Sequence, residues 1–360
     1  MASTFHLFNP ENDLALGIGN RNYTPPPHAA ALHHAGSLFP MWWAESGDCI
    51  AAPEEFEEDA SLLRSTFGLE GEIGVHKGID AISPWGWSLD AKRQYMSYLT
   101  KNGLETQLLP SDSNLEEWRQ ISHRRTSIKI LSELDMDVSL PIETTDPDVV
   151  VECERMHPGC FIKSPWSSSG RGVFNAGTLD STTLRKRAAG IINRQGSIIV
   201  ERGLDKTMDF AALFHSNGDN VKFRGLSLFT ALQRGMYAGN IVAPQTQIEH
   251  MLSQHLNPED LYNIISRLEN ILPRIIGTTY RGWLGVDMMT YMIGGIEKIM
   301  PCVELNLRMT MGIAAMKIHE KLSNKNTYLL NWEHNTPIGA GEIELLPPRL
   351  GFALRLKPQQ

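Results

Sequence analysis

Cysteine is scarce in this sequence. The 360 residues hold four, Cys49, Cys153, Cys160 and Cys302. No two form a CxxC pair or a zinc spacing. That excludes a disulfide scaffold and a zinc knuckle, and it suits indifferent thiols in a reducing cytoplasm. Long apolar runs are missing too. None reaches the roughly 18 residues that a spanning helix needs, so no membrane partner is expected. The opening "MASTFHLFNPENDLAL" lacks the basic-then-apolar order of a signal peptide. Positive charge is not in excess: 33 Lys and Arg face 41 Asp and Glu, a net charge of -8. No nucleic-acid partner is therefore expected. There is no internal repeat and no low-complexity tract.

What remains is the composition of a soluble globular enzyme, 42% hydrophobic and 21% charged, with chain enough for two or three cores. The first 110 residues or so alternate strand and helix. "STFHLF" reads as a strand that ends in the polar loop "NPENDLALGIGN". "DCIAAP" and "IGVHKGI" read as further short strands, and Ser88 can cap a helix that Gly103 ends. This spacing predicts a parallel sheet. A second part opens on the basic helix start "SHRRTSIKILSEL", followed by the strands "CFIKSPW" and "SIIVERG". "KFRGLSLFTALQ" is a further strand, and a helix is predicted from Pro258 to about Ile276, with Leu261, Ile265, Leu268 and Leu272 on one face. Pro273 is expected to bend or shorten it.

"GWLGVDMMTYMIGGIEKIMPCVELNLRMTMG" carries a strong hairpin signal, because two β-rich runs flank Gly294-Gly295. With those glycines as the turn, Ile293 faces Ile296, Asp287 faces Cys302 and Gly285 faces Glu304. Asp287, Glu304 and Asn306 then share a face, with the two acids diagonal to each other. Hard oxygen ligands of this kind suit Mg2+ or Mn2+, completed by water and phosphate. Arg308 continues the same parity and would neutralise charge on a moving phosphoryl group.

"FIKSPWSSSGRGV" delivers one ammonium, Lys163, at the end of a strand. A small-residue loop follows, from Ser167 through Ser168, Ser169, Gly170 and Arg171 to Gly172. Lysine meets a phosphate oxygen as a point charge, and hydroxyls with open backbone N–H groups make an anion nest. The stretch is not a Walker A loop. It is not a Rossmann fingerprint either, since Asn175 stands where the third glycine belongs. A protein kinase places its lysine after the glycine loop and carries D-F-G, which is absent here. No Ser-His-Asp or Cys-His arrangement has a convincing context.

In this order the basic helix start, the strand lysine with its small loop, "IIVERGLDKTMDF" and the acid–acid–Asn hairpin resemble the ATP-grasp superfamily over residues 120 to 320 or so. The resemblance implies a mixed α/β and α+β fold: an N-terminal α/β, pre-ATP-grasp-like domain over 1–118, then a two-lobed ATP-grasp fold. The small lobe would span 119–200, the large lobe with the metal site 201–345, and a C-terminal tail 346–360. It implies ATP and Mg2+ or Mn2+ as cofactors. Lys163 would hold the α- and β-phosphates, and the loop Ser167–Gly172 would close over the triphosphate. Glu201 to Leu204 would border the adenine, and Asp209 would reach the ribose. Asp287, Glu304 and Asn306 would hold metal, and Arg308 would face the reacting phosphate. A second phosphate lysine is usual at the basic helix start; Arg124 or Arg125 stands there. The implied activity is a ligase that joins a carboxylate to an amine through an acyl phosphate, the partners being small molecules such as amino acids or peptides. A kinase outcome and an inactive nucleotide-binding module are the alternatives. A cytoplasmic homodimer is expected.

Elsewhere, Asn9, Glu11, Asn12 and Asp13 follow the first strand, where open α/β sheets bind ligands, or they form an Asx-rich turn. Trp85 and Trp87 line a pocket or simply pack. His28, His33 and His34 have no evident metal partners, and Gln245 is a weaker candidate near a substrate entrance.

Overall fold

β1 (Ser3–Leu7) opens the chain and leads into α1 (Asn12–Ile18) and α2 (Pro27–Ala35). β2 (Cys49–Ile50), α3 (Glu57–Phe67), β3 (Glu72–Ile73), β4 (Ile79–Pro84), α4 (Leu89–Lys101) and α5 (Asp112–Ile121) follow. Next are α6 (Arg125–Leu134), β5 (Ile142–Thr144), α7 (Pro147–Met156), β6 (Phe161–Lys163), β7 (Val173–Asn175), α8 (Ser181–Gln195) and β8 (Ile198–Glu201). β9 (Asp205–Ser216), β10 (Val221–Ala231), β11 (Tyr237–Val242), α9 (Gln245–Ser253) and α10 (Pro258–Ile276) precede the hairpin of β12 (Gly282–Ile293) and β13 (Ile296–Asn306). α11 (Met311–Leu322), β14 (Tyr328–His334), β15 (Ile343–Arg349) and β16 (Phe352–Pro358) complete the order. This computed structural model describes residues 3–167, 172–231, 237–323, 326–334 and 337–359. No described helix is long and apolar enough to cross a membrane.

The chain divides into two compact units: Met1–Trp118 with Gly239–Ile248 and Arg308–Gln360, and Arg119–Ala238 with Glu249–Leu307. The first holds the predicted parallel sheet, in the order β3-β2-β1-β4. Phe5, Leu7, Cys49, Ala51 and Tyr95 form its core. The buried Tyr95 hydroxyl donates to the Phe5 carbonyl at 3.0 Å, so no polar group is stranded there. Ser88 caps α4 as expected, its side chain accepting from the Ala91 N–H.

The same unit contains strands without a clear sequence signal. Asn240 in β11 pairs with Leu330 in β14, and β14 and β15 both pair with β16. The stretch expected as a tail over 346–360 therefore holds the end of β15 and all of β16, residue 360 lying outside the described residues. The stretch expected as one lobe over 201–345 is shared between the two units. The reason is physical: β11 pairs with β14, far along the chain, so no local turn announces that contact. Trp332 stacks on Phe8 at 6.1 Å and meets Phe39 edge-on at 5.9 Å, which joins this sheet to the N-terminal core.

The second unit has two antiparallel sheets. The smaller runs β5-β8-β6-β7. Val150, Ile162, Leu184, Ile198 and Val200 are buried between it and helices α7 and α8. In the larger sheet β13, β12, β9 and β10 lie side by side. α10 buries Leu261, Ile265, Leu268 and Leu272, the predicted stripe. Asn257 caps its start by accepting from the Glu259 N–H at 3.0 Å. Pro273 does not shorten it, because it lies in the last turn, where its own carbonyl accepts from Gly277.

Candidate functional site

Lys163 is the last residue of β6, and Glu201 the last of β8. The strands pair Lys163 with Ile199, so Glu201, two residues on, is the diagonal neighbour on the same face. The two side chains meet at 2.5 Å between Nζ and Oε2, and Lys163 is only 6% exposed. After Lys163 the chain turns back on itself, with the Ser164 N–H donating to the Gly172 carbonyl at 2.9 Å. A Cβ at Gly172 would lie 2.4 Å from the Ser167 Cβ, so only glycine fits there. The remaining loop positions, Ser168, Ser169, Gly170 and Arg171, lie outside the described residues.

Of the two arginines at the start of α6, it is Arg124 that turns toward this loop. Its N–H donates to the Pro165 carbonyl at 3.1 Å, and Nη2 donates to Ser167 Oγ at 3.2 Å. Nη1 lies 2.9 Å from Glu304 Oε2, and the buried Nε has no partner. Arg125 points elsewhere, with Nη1 3.4 Å from Glu143 Oε1, and is half exposed.

The hairpin register corrects one expectation. From Ile293↔Ile296 to Met289↔Met300 the pairing is as predicted, but Asp287 then faces Glu304, not Cys302, and Gly285 faces Asn306. One residue, Met288, stands opposite three, Pro301, Cys302 and Val303. Pro301 has no N–H to give the ladder, so a bulge at this point costs little. The two additional residues keep the side-chain parity, and Asp287, Glu304 and Asn306 still share a face. Asn306 Nδ2 donates to Asp287 Oδ2 at 3.0 Å. Asp287 also pairs with Ala211, and Asp209 lies two residues from it on the same face of β9. The Asp209 carboxylate meets Lys206 Nζ at 2.5 Å. Leu204 lies between β8 and β9, its carbonyl accepting from the Lys206 N–H at 2.9 Å.

Cys302 shows how closely these charges gather. Burial first, then the fields of Asp287, Glu201 and Glu304, push its thiol far up, while Lys163 pulls it back. All four charged groups therefore lie within electrostatic reach of one sulfur. The thiol is protonated and inert as a nucleophile. Burial also raises Cys49, and Cys160 to about 11. Among the described residues no three His, Cys, Asp or Glu side chains form a ready metal cluster. Asp287 and Glu304 with the amide of Asn306 nevertheless make a hard-oxygen set that fits Mg2+ or Mn2+, and the guanidinium of Arg124 already neutralises Glu304 as a cation would.

Arg308 does not continue this strand face. β13 ends at Asn306, and Arg308 lies in the first unit, in an isolated bridge with Gly86. Its guanidinium grips Asp13 with two bonds, Nε to Oδ1 at 3.0 Å and Nη2 to Oδ2 at 2.7 Å. Asn9 exchanges two hydrogen bonds with the Gly86 backbone, at 2.8 and 3.2 Å. A Cβ at Gly86 would fall 2.4 Å from Asn12 Nδ2. The loop after β1 is thus locked to the loop after β4, beyond the carboxyl ends of parallel strands. His33 Nδ1 lies 2.8 Å from Glu11 Oε1, and His34 Nε2 lies 3.3 Å from Glu55. Trp85 packs on Phe8, and Trp87 on Tyr95 and Trp118. Gln245 starts α9.

Sequence reading missed what anchors the lysine loop. Trp166 N–H donates to Gln195 Oε1 at 3.1 Å, Gln195 Nε2 returns a bond to the Trp166 carbonyl at 3.1 Å, and Trp166 Nε1 donates to the Arg119 carbonyl at 3.0 Å. The Arg119 guanidinium covers the indole at 4.0 Å. His123 meets its edge at 4.7 Å. His123 Nδ1 accepts from the Arg125 N–H at 3.0 Å, so Nε2 carries the proton toward Ser197 Oγ at 3.2 Å. Ser197 Oγ in turn donates to Glu143 Oε1 at 2.7 Å. The three residue types are those of a hydrolase triad, but the donors run the wrong way: this histidine takes no proton from serine.

Burial, with Arg125, Arg119 and Arg124 adding to it, pushes His123 down to about 3. The unfolded chain, with an ordinary histidine near 6.5, then binds the proton first as pH falls. The contribution is whole above pH 6.5 and lost progressively toward pH 3, by up to about 1.4 kcal/mol per unit. Urea unfolding between pH 7 and 5 is expected to show His123→Gln losing less stability than wild type; parallel slopes would contradict it.

No protein-family model and no curated protein matches the sequence. Solved structures do. The biotin carboxylase domain of 2-oxoglutarate carboxylase from Hydrogenobacter thermophilus, solved with MgADP, ADP and bicarbonate, aligns at TM-score 0.52 and 11% identity over 99% of this chain and 86% of that one. Biotin carboxylase from Campylobacter jejuni, solved as a β-γ-ATP complex, aligns at TM-score 0.50 and 11% identity over 98% of this chain and 86% of that one. At this identity the likeness concerns architecture alone. With its parallel N-terminal sheet and antiparallel sheets, this chain has the ATP-grasp fold, the one its motifs resemble.

Proposed function

We propose that the protein is an ATP-dependent ligase that joins a small-molecule carboxylate to an amine. One observation carries the reading: two buried cations, Lys163 and Arg124, are each held by a carboxylate, at 2.5 Å from Glu201 and 2.9 Å from Glu304. Buried ion pairs contribute little net stability, because desolvation offsets their attraction. Their value here is exchange. A triphosphate arriving with its divalent ion presents anions to Lys163 and Arg124 and a cation to Glu304, so every charge keeps a partner while the ligand binds. Asp287, Glu304 and Asn306 would hold the ion, whose chemistry is charge neutralisation at the phosphates. Glu201 and Leu204 would flank the base and Asp209 the ribose. Ser167, Ser168, Ser169, Gly170, Arg171 and Gly172 would cover the phosphates.

In this reading the substrate carboxylate oxygen attacks the γ-phosphorus, ADP leaves with the bridging oxygen, and an acyl phosphate forms. The amine then attacks the carbonyl carbon and expels inorganic phosphate, giving the amide. The chain's own work is alignment and charge neutralisation. Arg308, fixed by Asp13, is the candidate to meet a substrate or phosphate anion. The test is ADP release from Mg-ATP against pooled carboxylates and amines, with mass spectrometry of positive pools. An amide accompanied by ADP and phosphate is expected. A stable phosphorylated product would make the protein a kinase, and ATP binding without ADP in any pool an inactive module.

A further inference from the structure

Lys163 and Arg124 stand on different elements of the second unit, at the end of β6 and just before α6. A short stretch of chain links them, the four residues that follow Lys163. The Pro165 carbonyl accepts from the Arg124 N–H at 3.1 Å, and Ser167 Oγ accepts from Arg124 Nη2 at 3.2 Å. Where this stretch lies therefore sets the spacing between ammonium and guanidinium. The strand ladder does not place it. β6 pairs with β7 and β8 only as far as Lys163, and Pro165 has no N–H to give. The stretch is placed through Trp166, whose N–H and carbonyl are both taken by one side chain.

That side chain is Gln195. Its Oε1 accepts from the Trp166 N–H at 3.1 Å, and its Nε2 donates to the Trp166 carbonyl at 3.1 Å. A side-chain amide can do both at once, where a carboxylate lacks the donor and an ammonium the acceptor. Gln195 is the last residue of α8, which Gly196 ends with a left-handed φ of 87°. The amide thus projects from a fixed helix end. Two residues on, Ser197 Oγ accepts from His123, whose ring meets the Trp166 edge at 4.7 Å. The same turn leads into β8, which ends on Glu201, the partner of Lys163. One turn therefore feeds both the clamp on Trp166 and the strand that carries the counter-ion of the lysine. Trp166 is only 6% exposed, so a bond lost here is poorly replaced by water.

We propose that Gln195, acting through Trp166, is a positioning residue for nucleotide binding: it fixes the spacing of Lys163 and Arg124 so that both meet the phosphates of one nucleotide. This role rests on the nucleotide reading given above. Misplacing a group by about 1 Å carries a large cost even when the change lies away from the ligand. The role also predicts a selectivity that general loosening would not give, because adenosine has no phosphate and does not depend on that spacing. MgADP is titrated by calorimetry, and adenosine by saturation-transfer NMR, into wild type and Gln195→Met, with both proteins folded. Gln195→Met keeps the length of the side chain and loses both bonds. MgADP affinity is expected to fall ~10-fold, the scale of two neutral hydrogen bonds, and adenosine affinity to change by less than about 2-fold. Trp166→Phe keeps an aromatic ring and loses the indole bond to Arg119; it is expected to weaken MgADP about 3-fold, and it carries the test should Gln195→Met not fold. Equal weakening of the two ligands, or of neither, would overturn the role. Wild type that binds no MgADP refutes the nucleotide reading and the role with it. Wild type that binds MgADP, beside a Gln195→Met protein that binds it equally well, refutes the role alone.

Discussion

Replacing Lys163 with methionine is expected to weaken MgADP binding at least ~100-fold and to abolish ADP release. Two effects add. The phosphates lose a charge-assisted partner, a contribution of about 1.5–3 kcal/mol. Glu201, whose side chain is 17% exposed, also loses its counter-ion 2.5 Å away and presents a bare carboxylate to the incoming anion. The second effect has its own signature, because breaking a buried pair by removing one partner costs about 3–5 kcal/mol of stability. Lys163→Met should therefore unfold at lower urea, and Lys163→Met/Glu201→Gln should recover most of that loss without recovering the nucleotide. Calorimetry with MgADP and urea titration on the three proteins check both statements. Lys163→Met protein that binds MgADP as wild type does would end the nucleotide reading.

The residues in that prediction were legible in the sequence, and the reason is local. A lysine closing an apolar triplet before a small-residue loop needs no long-range information to be noticed. The glycine pair at 294–295 is equally local, and it set the hairpin turn correctly. What the turn could not convey was the bulge at Pro301–Val303, since a register counted outward from a turn assumes an unbroken ladder. Arg308 was misplaced for the same reason: parity has no meaning past Asn306, where the strand stops. β14 was not read, because its partners β11 and β16 are not its neighbours in the chain, and the β9–β10 and β15–β16 hairpins, whose partners are adjacent, were missed although their turns are local. Arg124 and Arg125 stayed indistinguishable until the helix start was fixed. One residue of rotation there decides which guanidinium faces Glu304 and which faces Glu143. The Trp166 clamp draws on residues from Arg119 to Gln195 and has no motif.

Glu304→Gln is expected to be the second large loss. The substitution keeps the side chain's volume and removes its charge, so the change reads electrostatics and not packing. Without nucleotide, Arg124, only 6% exposed, loses the carboxylate 2.9 Å from its Nη1 and keeps an amide oxygen in its place. A buried guanidinium short of its counter-ion destabilises the fold by about 3 kcal/mol. With nucleotide, the hard-oxygen set falls from two carboxylates to one. Asp287 remains, already accepting from Asn306 at 3.0 Å. Mn2+ binding in the presence of ADP, followed by electron paramagnetic resonance, should weaken about 100-fold, and ADP release should fall below detection. Asn306→Ala should do less, ~10-fold on the same titration, because it frees Asp287 without removing a charge. If Glu304→Gln lowers the urea midpoint but leaves ADP-dependent Mn2+ binding intact, the pair with Arg124 is a structural ion pair and the metal lies elsewhere. If Mn2+ binding collapses while Arg124→Gln/Glu304→Gln restores the midpoint, the carboxylate holds the guanidinium in one state and the ion in the other. The exchange of partners argued for the two buried pairs requires that second outcome.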